Sequence, residues 1–298
     1  MTYIDLQFRG HANVIASAVL EGPDGIALVD PGPTSCLPAL EAGLARLGLS
    51  LGDVRALLLT HIHLDHAGAS GTIAARVPGL QVHVHERGAP HLIDPTKLLA
   101  SATRLYGDQM DTLWGRFDPV PADAVQVLRG GETLEVARRP MRVAYTPGHA
   151  VHHVSYLDES DGTAYVGDTG GIRVSYDYLL APTPPPDIDV ERWLESLDTI
   201  GAWSPVRLFL THFGPSEGAA RHLARYRETL ARQAALVRDT LAGDADTDDA
   251  RIAAFTHALR ADVRQAMPEA DAVSTELAAP FDQLWLGLAR YWRKRAAA

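Results

Sequence analysis

The chain has a single cysteine, Cys36, so it can form no disulfide within itself. Any metal site it carries must therefore rest on histidine and carboxylate. Long apolar runs are missing too, and none reaches the roughly 18 residues that span a bilayer. The opening stretch, MTYIDLQFRGH, has neither the basic start nor the apolar centre of an export signal, so a cytoplasmic location is expected. Cations are outnumbered, 27 Lys and Arg against 37 Asp and Glu, for a formal net charge of −10. That balance argues against a nucleic-acid partner, because phosphate backbones are held by clustered cations. The one basic cluster, RYWRKR at 290–295, falls at the end of a final helix, where cations suit the helix dipole. What remains is the 46% apolar and 21% charged content of an ordinary globular protein, and 13 histidines. A length of 298 residues allows one large domain or a domain with an appendage.

Apolar patterning over 3–8 and 13–20, then the turn EGPDG leading into 26–32, predicts strands and a hairpin. Residues 34–49 predict an amphipathic helix capped by Thr34 or Ser35, with Cys36 as a small apolar residue at its start. VRALLLT (54–60) is continuously apolar, the mark of a strand buried on both faces. A short helix from His66 to about Val77 and a strand at 80–85 follow. Residues 86–118 read as a helical insertion over one face. Strands recur at 124–128, 133–137, 141–146, 152–158 and 163–167. The proline-rich stretch 181–189 is a rigid connector, followed by a helix and a buried strand at 206–215. Beyond Ser216 a long helix to about Leu241, a polar break and two more helices predict a cap docked on the main body. This mixture points to an α+β sandwich with helices outside. An echo strengthens it: ALVDPG, a helix and LLLTH in the first half match YVGDT, a helix and LFLTH in the second. Two similar half-sheets would bring these strand ends together.

The stretch LLLTHIHLDHAGA (57–69) ends an apolar run in three histidines and an aspartate. His61, His63 and Asp65 are spaced by two, so an extended segment points all three to one side. His66, where the helix starts, reaches the same cavity from another direction. Imidazole and carboxylate without thiolate suit Zn²⁺, Fe or Mn²⁺. Four such residues exceed the needs of one open tetrahedral centre that also collects distant ligands, which hints at two metals. The pattern arises by chance about once in a thousand such chains. Further ligand-type residues stand at other strand ends: His149 in the Pro-Gly turn of YTPGHA, Asp168 in YVGDTGG beside glycines that allow close approach, and His212 in FLTHFGP.

In this order, Asp30, His61, His63, Asp65, His66, His149, Asp168 and His212 resemble the full two-metal pattern of the metallo-β-lactamase fold superfamily, over roughly residues 10–215. The resemblance implies a four-layer αββα sandwich of two mixed sheets with metals at one edge. Residues 1–215 would form it, 86–118 being the insertion and 216–298 a helical extension packed on it. It implies His61, His63 and His149 on one metal, Asp65, His66 and His212 on the second, and Asp168 bridging them. Asp30 would support the site through hydrogen bonds. Two divalent ions, zinc first and Fe or Mn as alternatives, lower the pKa of a bridging water and polarise the substrate's carbonyl or phosphoryl oxygen. Asp65 would orient that water or pass a proton to the leaving group, which makes it the catalytic residue. His152 or His153 is a candidate second-sphere partner, and Arg173, Tyr176 and Tyr178 are candidates for substrate contact. His83 and His85 belong to a sheet face, while His11, His91, His222 and His257 have no site role. The aromatic stripe FDQLWLGLARYW is a docking face that could also roof the pocket.

Within the superfamily, an acidic chain with a helical C-terminus is most similar to the glyoxalase-II and lactonase hydrolases. A thioester or lactone is then the expected small-molecule substrate. The match to glyoxalase II is incomplete, since no clear basic set for glutathione carboxylates is present and GDTGGIRV departs from its pattern. A secreted β-lactamase is disfavoured, because Asp168 stands where such enzymes carry Cys. Alternatives are an iron-dependent oxidoreductase of the persulfide dioxygenase kind, a phosphodiesterase, and a non-catalytic scaffold, against which the complete ligand set speaks. Neither nucleic acid nor membrane is an expected partner, and a homodimer stays open.

Overall fold

The computed structural model describes residues 1–174, 178–242 and 247–297. Two six-stranded sheets stack face to face between outer helices. The first runs in chain order: β1 (Thr2–Asp5), β2 (Ala16–Gly22), β3 (Gly25–Val29), β4 (Val54–Leu58), β5 (Gln81–His85) and β6 (Val125–Leu128). The second holds β7 (Thr133–Val136), β8 (Arg139–Tyr145), β9 (Val154–Asp158), β10 (Thr163–Tyr165), β11 (Arg207–Leu210) and β12 (Gly214–Glu217). Both are mixed. Antiparallel pairs give way to parallel ones at β3–β4 in the first and at β10–β11 in the second. These parallel pairs are the two echoing segments, one in each sheet.

Side-chain alternation decides which strands can lie between layers. In β4, Leu57 points to the outer helices while Ala56 and Leu58 face the other sheet, and all three are at most 5% exposed. Ala27 and Val29 of β3 pair with them on the inner side, against Val143, Tyr156 and Phe209 of the second sheet. The outer layer on the first sheet is α1 (Leu37–Arg46), α2 (Leu64–Ala67), α3 (Ser70–Arg76), α4 (Ala89–Ile93), α5 (Thr96–Tyr106) and α6 (Met110–Trp114). Leu57 packs there with Leu40, Leu44 and Ile73. Truncating such a residue to alanine costs about 2–5 kcal/mol. The second sheet is covered by α7 (Val190–Ala202) and by a tail of α8 (Ala219–Ala242), α9 (Asp248–Ala266), α10 (Glu269–Ala278) and α11 (Phe281–Ala296). On α11, Phe281, Leu284, Trp285, Leu288 and Tyr291 form one buried stripe at helical spacing, the expected docking face.

Three expectations need correction. The tail has three helices after the polar break, not two, because Pro268 and Pro280 interrupt the helical pattern. The strand at 206–215 breaks after Leu210, and its end becomes a separate antiparallel strand, β12. Helix α2 begins at Leu64, two residues before the expected start, so the extended segment stops at His63. Among the described residues no helix is long and apolar enough to cross a membrane.

Candidate metal centre

At one edge of the sandwich the ends of β4, β8, β10 and β11 converge. After β4 a bend at Thr60 leads through His61 to His63, whose extended backbone (φ −60°, ψ 154°) caps α2. Asp65 therefore does not share the extended face of His61 and His63; it sits in the first helical turn beside His66. His149 and Asp168 each follow a glycine that only a residue without a side chain could replace. Gly148 has φ +133°, and a Cβ there would lie 2.4 Å from Trp193. Gly167 has φ +45°, and its Cβ would lie 2.5 Å from the Thr60 hydroxyl. His212 occupies the turn between β11 and β12.

The ligand-type atoms fall into two groups that could each hold a metal ion. His61, His63, His149 and Asp168 form one, and Asp65, His66 and His212 the other, with the offered atoms inside each group within 4.8 Å of one another. His63 Nδ1 lies 3.0 Å from His61 Nε2 and 2.9 Å from His149 Nε2. Asp168 stands between the groups. Its Oδ2 is 3.3 Å from His149 Nε2, and its Oδ1 is 3.3 Å from His66 Nε2 and 3.5 Å from His212 Nε2. Asp65 Oδ2 lies 3.3 Å from His212 Nε2.

The donor set fits divalent ions on two observations. First, His66 Nε2, His212 Nε2 and Asp168 Oδ1 are fully buried and make no hydrogen bond, although they face one another. Buried polar atoms are rarely left in that state, and a cation among them satisfies all three. Second, the rings are held from behind. The Nδ1–H of His66 donates to Asp30 Oδ2 (2.8 Å), that of His149 to the Pro182 carbonyl (2.8 Å) and that of His212 to the Val14 carbonyl (2.6 Å). With Nδ1 protonated, each Nε2 is left as a lone pair aimed into the centre.

Asp30 organises this support. It is buried, sits at φ +51°, and accepts from Thr60 N (2.8 Å), Thr60 Oγ1 (2.7 Å), Thr211 Oγ1 (2.8 Å) and His66. Its backbone is in a region unusual for a side-chain-bearing residue, and these partners hold it there. The electrostatics divide along the same line as the two groups. Burial pushes the His61 imidazole well below its usual range, aided by the neighbouring His66, His63 and His149 rings, and takes His149 down to about 4. For His66, burial is outweighed by Asp168, Asp65 and Asp30, which hold its pKa well above normal. Burial also pushes the Asp65 carboxyl up, but His66 and His212 prevail and hold it at about 2. Burial thus dominates at His61 and His149, and the surrounding carboxylates dominate at His66.

A cavity of about 300 Å³ opens over the centre, reached by His63, Asp65 and Asp168. Of the two helical stretches that wall it, α5 contributes Leu98, Ala102 and Tyr106, and the α10–α11 junction contributes Leu277, Gln283 and Leu284. Pro182 and Pro184 close another side, so the rigid connector both walls the cavity and holds His149. The tail does roof the pocket.

Residues expected near the site fare unevenly. His152 lines the cavity, and its Nδ1 accepts weakly from Ile62 N at 3.5 Å. His153 stacks on His61 (5.0 Å between rings) and meets Thr146 and Thr169, so it packs against the centre without bonding a ligand-type residue. Arg173 turns away to the Pro215 carbonyl and Tyr178 to Asp262; neither lines the cavity. Tyr176 lies outside the described residues. His83 and His85 do lie on a strand, and His222 is a buried structural residue bonded to Ser216 and the Gly170 carbonyl. His91, given no role by the sequence, stands at the cavity's edge with Arg87 and Lys97. Tyr106 and Gln283 were missed as well. The available signal was the apolar spacing of Leu98, Ala102 and Leu105 on α5, which marks a packed face without saying what it faces.

Comparison with known proteins agrees with this architecture. Residues 12–212 match the model of the metallo-beta-lactamase superfamily. A metallo-beta-lactamase fold-containing protein of Sulfurisphaera tokodaii is 33% identical over 144 residues, covering 47% of this chain and 53% of that protein. A hydroxyacylglutathione hydrolase of Synechococcus is 31% identical over 151 residues, covering 51% of this chain and 47% of its own. The chain thus spans about half the length of the curated relatives it matches. The crystal structure of a metallo-beta-lactamase family protein from Thermus thermophilus superposes with a TM-score of 0.68 at 26% identity, over 95% of this chain and 89% of that one. With two thirds of its length matched by the family model and the same fold end to end, the chain belongs to the metallo-beta-lactamase superfamily.

Proposed function

We propose that this protein is a metal-dependent hydrolase that holds two divalent ions, zinc being the first candidate, and cleaves an ester-type substrate, a thioester or a lactone. The observation that carries the reading is the meeting of two ligand-type groups at Asp168, whose two oxygens each lie 3.3 Å from an imidazole of a different group. His61, His63 and His149 would hold one ion and Asp65, His66 and His212 the other, with Asp168 shared. Such a pair supplies, when bound, a water acidified to near-neutral pKa and a Lewis acid for the scissile carbonyl. The chain's own part is positioning and proton transfer. Asp30, Pro182 and Val14 fix the rings that face the centre. Asp65 uses Oδ2 against His66 and His212, while no described residue hydrogen-bonds its Oδ1. Its side chain is 20% exposed and reaches the cavity, so Oδ1 is placed to pass a proton from the water to the leaving atom. Residues 1–215 would be the catalytic unit and 216–298 the extension that shapes its pocket.

Thioesters come first among the substrates because the Synechococcus relative is named a hydroxyacylglutathione hydrolase. The test is a panel of thioesters, lactones, phosphodiesters and β-lactams on the metal-loaded protein, each repeated after chelation. Thioester or lactone cleavage that is lost on chelation and regained with Zn²⁺ is expected. Preferential phosphodiester cleavage, or oxygen uptake with a persulfide on the iron-loaded protein, would overturn the reading.

A further inference from the structure

Beside the cavity runs a second groove, and the two share Arg87, Val151 and Asp187. The shared end lies close to the metal centre, since Asp187 lines the same cavity as His63, Asp65 and Asp168. Four cations line the groove, Arg87, Arg192, Lys294 and Arg295, against two carboxylates, Asp187 and Asp189. In a chain with net charge −10 this is a local reversal of sign. Asp189 is already engaged in capping α7 through the Arg192 amide, and Arg295 pairs with Glu191 at 2.8 Å. Among the described residues, Arg87, Arg192 and Lys294 have no ion-pair partner; Arg87 instead lies over the Tyr145 ring.

Helix stability accounts for part of this set and not the rest. Lys294 and Arg295 are in the last turn of α11, where cations are favoured. Arg192 is in the first turn of α7, where the dipole disfavours a cation, and Arg87 is in the turn after β5. Two helix ends and a turn, from three distant parts of the chain, thus aim positive charge at one groove that opens into the catalytic cavity. The cavity walls on α5 and the α10–α11 junction are the opposite in character, presenting Leu98, Ala102, Leu277 and Leu284.

We infer that the substrate has two unlike arms: an apolar acyl group seated between α5 and the α10–α11 junction, and an anionic leaving arm carrying phosphate or carboxylate seated on Arg87, Arg192 and Lys294. This rests on the proposed ester hydrolysis and names its substrate class. The ester or thioester bond lies where the two grooves meet. Water cleaves it: the water oxygen bonds to the acyl carbon, the bond to the leaving oxygen or sulfur breaks with its electron pair, and one water proton goes to the leaving atom. An apolar acid and an anionic alcohol or thiol are released. Each methylene added to the acyl group buries more apolar surface, which corresponds to about a fourfold rise in kcat/KM until the cavity is filled.

The test compares three thioester series on the metal-loaded full-length protein, acyl groups running from acetyl to decanoyl. Leaving arms are coenzyme A (phosphates), glutathione (carboxylates) and N-acetylcysteamine (uncharged). Expected is a rise in kcat/KM with acyl length, and a preference for a charged arm over the uncharged one that shrinks with salt. The double variant Arg192→Glu, Lys294→Glu should raise KM for that charged arm on the order of tenfold and leave N-acetylcysteamine thioesters unchanged. Preference for coenzyme A identifies phosphate as the recognised anion; preference for glutathione identifies carboxylate. Equal cleavage of charged and uncharged arms, or a charged-arm preference untouched by the double variant, overturns this inference while ester hydrolysis stands. No cleavage in any series, with metals bound, overturns the hydrolase reading and the inference with it.

Discussion

The metal centre and the wall that faces it are built by opposite means. Around the centre the His66, His149 and His212 rings are each locked by a hydrogen bond from behind, to Asp30 and to the Pro182 and Val14 carbonyls. The wall is made by apolar side chains of α5 and of the α10–α11 junction, almost 180 residues apart, joined across the cavity by one hydrogen bond, Tyr106 Oη to Gln283 Oε1 at 3.2 Å. Metal ligation needs ångström placement, which directional bonds supply. Accommodating an acyl chain needs only shape and dryness, which packed helices supply. Changes at the centre should therefore abolish chemistry, and changes in the wall should alter which substrate is preferred.

The largest effect belongs to the shared carboxylate. Asp168→Ala should lower hydrolysis by at least about a thousandfold, since metal-based charge stabilisation is worth several kcal/mol, and should lower bound metal measured by mass spectrometry. Unchanged metal content with intact activity would erase the distinction between the two regions. Next comes the support. Asp30→Ala strands the Thr60, Thr211 and His66 groups in a dry interior and should cost about 3–5 kcal/mol in urea unfolding of the metal-free chain. A loss under about 1 kcal/mol would show that the locks are ornamental.

A smaller effect tests the sandwich apart from the centre. His83 on β5 is buried with neither ring nitrogen hydrogen-bonded, and burial pushes its pKa down to about 4. An unfolded imidazole titrates near 6.5, so below that pH the unfolded chain takes up a proton that the folded chain refuses. The stability His83 allows is complete above about 6.5 and drains away as pH falls toward 4. Between neutral pH and about pH 5 the wild type should lose about 2 kcal/mol more than His83→Leu in urea midpoints. Equal losses would place the acid sensitivity elsewhere. The smallest effect is expected at the clasp. Tyr106→Phe should cost about 1 kcal/mol and leave metal content unchanged, while shifting the preference among acyl lengths. A fall in metal content would show that wall and centre are not separable.

The same contrast explains what the sequence could reveal. The seven ligand-type residues and Asp30 are legible because each is a polar side chain in a short motif at the end of an apolar strand, an arrangement with no ordinary packing purpose. The sandwich is legible too, in runs such as VRALLLT that can be satisfied only between two layers. The cavity wall is not. Leu98, Ala102 and Tyr106 read as a helix's packed face, and nothing local says that their neighbours are Gln283 and Leu284. Nor could spacing tell that Asp65 leaves the extended segment for a helical turn, because an i, i+2 pattern presumes the strand continues. Of the cationic groove the sequence shows only the RYWRKR helix end, because Lys294 meets Arg192 and Arg87 only once the tail has docked.

The central claim is that two ions share Asp168, and counting them tests it most directly. Metal-free protein titrated with Zn²⁺ in a calorimeter, with mass spectrometry of the intact loaded chain, should show close to two ions bound per chain and full hydrolytic activity only when the second site is filled. One ion per chain with full activity would contradict the account.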